Sequence, residues 1–176
     1  MKKVISISII TILYLFSILQ VFNLFVADIY FASSRQLFEK KTYDQALQHA
    51  LDSIRLNANE PSYYRQAARA YLGIGDLNFT LSNLNKAQRL NDKNLTTLRN
   101  ALPIYFAIAK SNDAYLGNAL NYYNDLKNKY PNDLGVLADV AKYEKELGAE
   151  QNYNETVEMV KNLRQDILEW HPSFTN

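Results

Sequence analysis

"LNANEPSYYRQAARAYLGIGDL", residues 56–77, decides the fold. A polar break ends in Pro61. Adjacent tyrosines, Tyr63 and Tyr64, follow, then closely spaced alanines, then Gly73-Ile74-Gly75-Asp76. Proline suits a helix start, because a first-turn N–H has no helical partner to lose. Glycine suits the residue just past a helix end. The stretch therefore reads as one helix between two breaks, and its rhythm recurs along the chain.

The recurrence has a step of 34 residues, and residues 27–60 align on 61–94 without a gap. Tyr30 meets Tyr64, Leu37 meets Tyr71, Tyr43 meets Leu77, Ala50 meets Leu84, Ser53 meets Ala87 and Leu56 meets Leu90. A longer third unit spans 95–133, with Leu98, Ala101 and Tyr105, then Ala119, Tyr123, Leu126 and Tyr130-Pro131. A fourth, 134–170, carries Leu137, Val140, Ala141 and Gly148, then Val157, Val160, Leu163 and Ile167.

This pattern resembles the tetratricopeptide repeat (TPR) family. Tyr64, Ala68, Tyr71, Leu84 and Ala87 fill the family's large and small core places in the second unit, and Ala46 and Pro131 fill others. Thr80, Ala58 and Asp92 depart from it, and Lys41 stands where a turn glycine is usual. The resemblance implies an all-α TPR superhelix of about four antiparallel helix pairs, stacked because one pair cannot bury both of its faces. Alanines let the helix backbones approach, larger side chains fill the gaps, and Gly73 and Gly75 bracket the turn. In the third unit Pro103 falls inside a helical pattern and predicts a kink. The final helix, 153–170, reads as the cap of the stack. Residues 171–176 read as a loose tail.

The N-terminus has a different character. No charge occurs between Lys3 and Asp28. Residues 4–27 as a helix reach about 36 Å, enough for a hydrocarbon core of about 30 Å. Residues 1–26 are thus expected to be a single transmembrane anchor ahead of a repeat domain over 27–170. Serine and threonine hydroxyls there can bond the preceding turn, whereas Gln20 and Asn23 suit contact with a partner helix. A cleaved signal peptide and a buried core helix are the alternatives; cleavage after Ala27 places the bulky Phe25 at −3. Lys2 and Lys3 before the span, and Asp28 after it, predict a cytoplasmic N-terminus and an extracytoplasmic repeat domain. Lys40 and Lys41 oppose this from further out. No Gly or Pro precedes Pro61, so the span is expected to continue unbroken into the first repeat helix as a rigid rod.

Composition narrows the function. Net charge is +1, giving no reason to expect nucleic acid, and there is no cysteine for a disulfide or thiolate metal site. The two histidines, His49 and His171, are far apart; His49 reads as solvated, and Glu144/Glu146 and Glu155/Glu158 read as polar helix faces. "GIGD" lacks the glycine spacing of a phosphate loop. Asn78-Phe-Thr80, Asn94-Leu-Thr96 and Asn154-Glu-Thr156 fit the glycosylation triplet. No catalytic, cofactor or metal constellation is expected, and the chain reads as a non-enzyme.

The resemblance implies that the first helix of each repeat lines a concave groove. Carried onto this sequence, the candidate partner-binding residues are Arg35 and Phe38; Arg65, Gln66 and Arg69; Arg99, Asn100 and Phe106; and Lys142. Phe31 and Lys145 fall on the same face. Asp28, Glu39, Asp139 and Glu146 are its acidic groups. Arginine in such a groove suits carboxylates and acidic peptides. The expected function is a membrane-anchored scaffold for a protein or peptide partner with acidic segments. A second reading comes from the joint over 26–72. It looks like the tail of bacterial polytopic glycan ligases of the O-antigen ligase type, in which the last membrane helix leads into such repeats. The chain is then an accessory subunit or separated tail, not the catalyst. A cleaved, chaperone-like secreted repeat protein is the third reading.

Overall fold

The computed structural model describes residues 2–174, with side chains described from residue 10 onward, Trp170 excepted. The Lys2 and Lys3 side chains, on which the expected orientation rests, lie outside the described residues, as do tail residues 175–176. The described residues are helical, with no strand among them. The chain divides into two compact units, Met1–Leu90 and Asn91–Asn176.

The first unit is built on α1, one helix over Lys2–Glu39, about 57 Å long at 1.5 Å per residue. Its two parts differ in surroundings. From Ile10 to Phe22 every side chain is exposed, Ile12 by 64% and Phe22 by 59%. The described part of the span is therefore no core helix, and it is long and apolar enough to cross a membrane. Ser17 Oγ donates to Leu13 O at 2.9 Å, so this hydroxyl is satisfied within the helix. Gln20 is exposed, whereas Asn23 and Val26 are half-buried and Ala27 is fully buried. Packing against the rest of the unit thus begins at Asn23.

Helix α2 (Tyr43–Leu56) runs back along α1. Ser34 Oγ donates to Ala46 O at 2.7 Å, and Tyr30 meets His49 ring to ring at 5.5 Å. Helix α3 (Pro61–Ile74) runs parallel to α1: Tyr63 pairs with Asp28, and Arg69 with Phe38. Helix α4 (Leu77–Leu90) returns along α3. Ala27, Ala46, Ala50, Ala67, Ala68 and Ala70 have no exposed surface, which is how four backbones approach so closely. Between the adjacent tyrosines, Tyr63 is the buried one; Tyr64 lies half-buried, its hydroxyl donating to Ala58 O at 3.1 Å. Tyr71 is also half-buried and stacks on Phe79 at 5.1 Å.

The turns show why particular residues stand there. Glu60 accepts from Ser62 N at 2.9 Å and caps α3, and Gly75 ends it at φ 92°. Gly73 is not part of that turn. It lies inside α3, where an added Cβ would stand 2.6 Å from the Tyr43 ring. Lys41, at the place where glycine is usual, has φ 61° and closes α1 through Lys41 N to Phe38 O and Thr42 N to Leu37 O. A lysine there carries the Cβ strain that glycine avoids.

The second unit begins with α5 (Leu95–Arg99), capped by Asn94 Oδ1 accepting from Thr97 N at 2.9 Å. Instead of kinking, the helix stops at Asn100–Ala101 and restarts as α6 (Leu102–Ser111), with Pro103 in the first turn, where it removes no needed donor. A 3₁₀ turn, Asp113–Tyr115, leads into α7 (Leu116–Lys129). Helices α8 (Leu134–Glu146) and α9 (Glu150–Arg164) pair next. The expected final helix is interrupted before α10 (Ile167–Trp170). The described tail is not loose: Phe174 packs on the Leu137, Val160 and Ile167 cluster, and Phe174 N donates to His171 O at 2.9 Å.

One cluster in this core reverses an expectation. Glu144, read from sequence as solvated, is fully buried. Lys127 Nζ donates to Glu144 Oε1 at 2.8 Å and to Thr156 Oγ1 at 2.9 Å. Thr156 Oγ1 donates to Glu144 Oε2 at 2.6 Å. The ring of bonds ties α7, α8 and α9 together. It also satisfies two charges that would otherwise be costly to bury.

Candidate functional site

The sequence-derived candidates fall into two groups, one in each unit. In the first unit Arg35 is exposed, with its guanidinium 5.9 Å from the Phe31 ring centre. Arg69 lies 4.3 Å over the Phe38 ring and 3.6 Å from Glu39 Oε1. Arg65 is half-buried and donates to Ser62 Oγ at 3.1 Å. Gln66 differs from the rest: it is 2% exposed and turns into the unit, with Nε2 lacking a hydrogen-bond partner. It does not present a surface to a partner. One turn of phase explains the difference, since Gln66 is three residues from buried Tyr63 and shares its face.

In the second unit the candidates gather around one shallow pocket of about 350 Å³. Thr96, Arg99, Asn100, Leu102, Pro103, Asp139 and Tyr143 line it. The break between α5 and α6 opens this wall, because it leaves Asn100 exposed at the end of α5. Arg99 gives Nε to Asp139 Oδ2 at 2.8 Å and Nη2 to the same oxygen at 2.7 Å. Its Nη1 lies against the first turn of α8, where a Cβ on Gly135 would come within 3.2 Å. Phe106 is half-buried against Tyr143, with ring centres 5.2 Å apart. Lys142 is exposed, its Nζ 5.5 Å from the Tyr143 ring centre. Burial, then the Asp139 and Glu146 charges, push the Tyr143 phenol up. It stays a neutral hydroxyl at ordinary pH.

The electrostatics differ from the sequence expectation in one respect. The acidic groups are few, but they are placed on the arginines: Asp139 on Arg99 and Glu39 on Arg69. Asp28 takes the Tyr63 hydroxyl at 2.5 Å. Burial first, and then Asp28, raise the Tyr63 phenol, so this bond holds a protonated tyrosine against a carboxylate. Arg69 and Arg99 are thus oriented by local carboxylates, Arg69 also by the Phe38 ring, and an anionic ligand would have to compete with these partners.

His49 is half-buried, not solvated, and its Nδ1 has no hydrogen-bond partner. His171 Nδ1 accepts from Ser173 N at 3.3 Å. Among the described residues no group of three or more His, Asp or Glu could hold a metal ion. In the glycosylation triplets Thr80 and Thr156 are buried within helices, and Asn94 is used as a helix cap. The buried Lys127–Glu144–Thr156 cluster had no local sequence signal, since its partners are 17 and 29 residues from Lys127.

No family model matches the chain, and no curated protein matches it.

Proposed function

We propose that the chain is a membrane-anchored TPR-type scaffold that presents a helical-repeat surface to a protein partner at the bilayer. The observation that carries this reading is α1, a single helix over Lys2–Glu39 that is exposed and apolar in one part and packed under α2 and α3 in the other. Such a helix joins an anchor to a recognition unit with no flexible tether. Helix starts at Pro61, Leu95 and Leu134 support the repeat reading, because these residues open the repeating units. The partner is a protein or peptide with acidic segments, received either on the first unit, at exposed Arg35 and oriented Arg69, or on the second, at exposed Asn100 and Lys142 and oriented Arg99. The repeat domain lies outside the cytoplasm, following the charge flanks of the span. No catalytic step is assigned to the chain.

The continuity of α1 also suits the second reading, an accessory subunit or tail of a polytopic glycan ligase, whose last membrane helix runs into repeats. Photocrosslinking from native membranes distinguishes the two. A photoreactive residue at Arg35 or Lys142 is expected to capture an extracytoplasmic protein with acidic segments. With the photoreactive residue at Arg35 that capture should fall on Arg69→Glu, and with it at Lys142 on Asn100→Glu. A multi-span membrane protein as the dominant adduct supports the glycan-ligase reading. No specific adduct from either position refutes the scaffold.

A further inference from the structure

The geometry points to a phospholipid-contacting foot on the first unit, and we propose that the α2–α3 loop, residues 57–60, sits in the headgroup layer. The inference rests on the membrane reading of α1. Its ground is the alignment of the helices beside that span.

Three contacts set the heights. His49 of α2 lies abreast of Tyr30, and α2 descends from there toward the anchor. Arg55, six residues on, reaches about 9 Å lower at 1.5 Å per residue, abreast of about residue 24 of α1. Tyr63 at the start of α3 pairs with Asp28, and Lys86 of α4 lies over the Tyr64 ring at 5.9 Å. Arg89, one turn further along α4, lies about 4.5 Å below Lys86. The loop, Arg55 and the end of α4 therefore stand level with α1 residues 23–28, where the apolar span ends. Asn23 and Val26 are half-buried there. The stretch of α1 below this foot, residues 4–22, is about 28 Å long, close to the hydrocarbon thickness of about 30 Å.

The chemistry of the foot fits that level. Its carboxylates have local donors: Asp28 takes Tyr63, Asp52 takes Arg55 at 2.9 Å, and Glu60 caps α3. Lys86 and Arg89 are exposed and reach toward phosphate groups. Ile29 and Leu51 expose apolar side chains by 51% and 41% at the upper edge of the same level. Asn57 and Asn59 supply polar groups, with Asn59 N bonded to Asn57 Oδ1. The opposite end of the unit, the Lys40–Lys41 turn, stands about 25 Å from residue 23 along α1.

The chain has no cysteine, so single nitroxide labels read depth directly. Asn59→Cys, Ile12→Cys and Lys40→Cys are labelled in the full chain and reconstituted into mixed phosphatidylcholine and phosphatidylglycerol vesicles. Collision with oxygen and with a water-soluble relaxant is then compared. The expected order is Ile12 in hydrocarbon, Asn59 at headgroup depth and Lys40 in water. An Asn59 label as aqueous as that at Lys40, with Ile12 in hydrocarbon, overturns the foot and leaves the anchor intact. An Ile12 label outside hydrocarbon overturns the membrane reading itself. Each cation near an anionic surface favours contact about fivefold. Lys86→Glu with Arg89→Glu is therefore expected to shift the Asn59 label outward, and an unchanged depth overturns the role given to these two cations.

Discussion

The Lys127–Glu144 pair tests how the second unit balances burial against charge. Lys127 is 5% and Glu144 0% exposed at the side chain, and Thr156 closes the ring. Lys127→Met leaves a carboxylate in the core with only the Thr156 hydroxyl as donor. Glu144→Leu leaves an ammonium with only the Thr156 oxygen. Each single change is expected to cost about 3–5 kcal/mol, the usual penalty of stranding one buried charge. Together, Lys127→Met and Glu144→Leu remove both charges, fill similar volumes, and leave Thr156 bonded to Asn152 O at 3.0 Å. The double variant is expected within about 1 kcal/mol of the parent, because hydrophobic replacement of a buried pair is often neutral or stabilising. The coupling from the double-mutant cycle is then several kcal/mol, far above the few tenths seen for independent sites. Urea titration in detergent, followed by fluorescence of the single tryptophan on α10 of this unit, gives the three differences. The reasoning fails if the singles each cost under about 1 kcal/mol, or if the double variant loses the sum of both.

Three further outcomes follow from local geometry. Lys41→Gly relieves the φ 61° strain and is expected to stabilise the first unit by up to about 1 kcal/mol, read as a raised urea midpoint. Gly73→Ala drives a methyl to 2.6 Å from the Tyr43 ring and is expected to cost about 1–3 kcal/mol. Adding Tyr43→Leu should recover most of that loss, and no recovery would point to a cause other than the clash. The third outcome concerns alkaline pH. The Tyr63 and Tyr123 phenols are pushed up mainly by burial, so in the folded chain both stay neutral past the ordinary phenol range. Their contribution to stability is complete below the unfolded value of about 10 and is lost as pH rises above it. Ultraviolet tyrosinate titration should therefore show at least these two phenols ionising only with unfolding, and one fewer such phenol after Tyr63→Phe.

The helix content and the continuous α1 were legible in the sequence for concrete reasons. A long charge-free run and the absence of Gly and Pro before Pro61 dictate an unbroken helix. Pro61 and Gly75 mark the ends of α3, as proline and glycine should. What stayed hidden depends on helix phase or on distant partners. Tyr63 and Tyr64 are chemically alike at the sequence level, and only the rotation of α3 on α1 buries the first. The same rotation buries Gln66. Glu144 looks like a surface residue until Lys127 and Thr156 arrive from two other helices. Pro103 announces a disturbance, but the choice of a break over a kink lies in where α6 restarts. The candidate site was legible as a set of residue types, whereas the carboxylates that hold Arg69 and Arg99 were not.

The shared helix has a mechanical consequence. With α1 in a bilayer, the first unit is the outer arm of a lever whose inner arm is gripped by lipid. A thinner membrane makes the inner arm tilt. An additional tilt of about 20° swings the Glu39 end by roughly 9 Å, given about 25 Å of helix beyond residue 22. In such a bilayer the surface bearing Arg35 and Arg69 would change position with membrane thickness, with no change in its own packing.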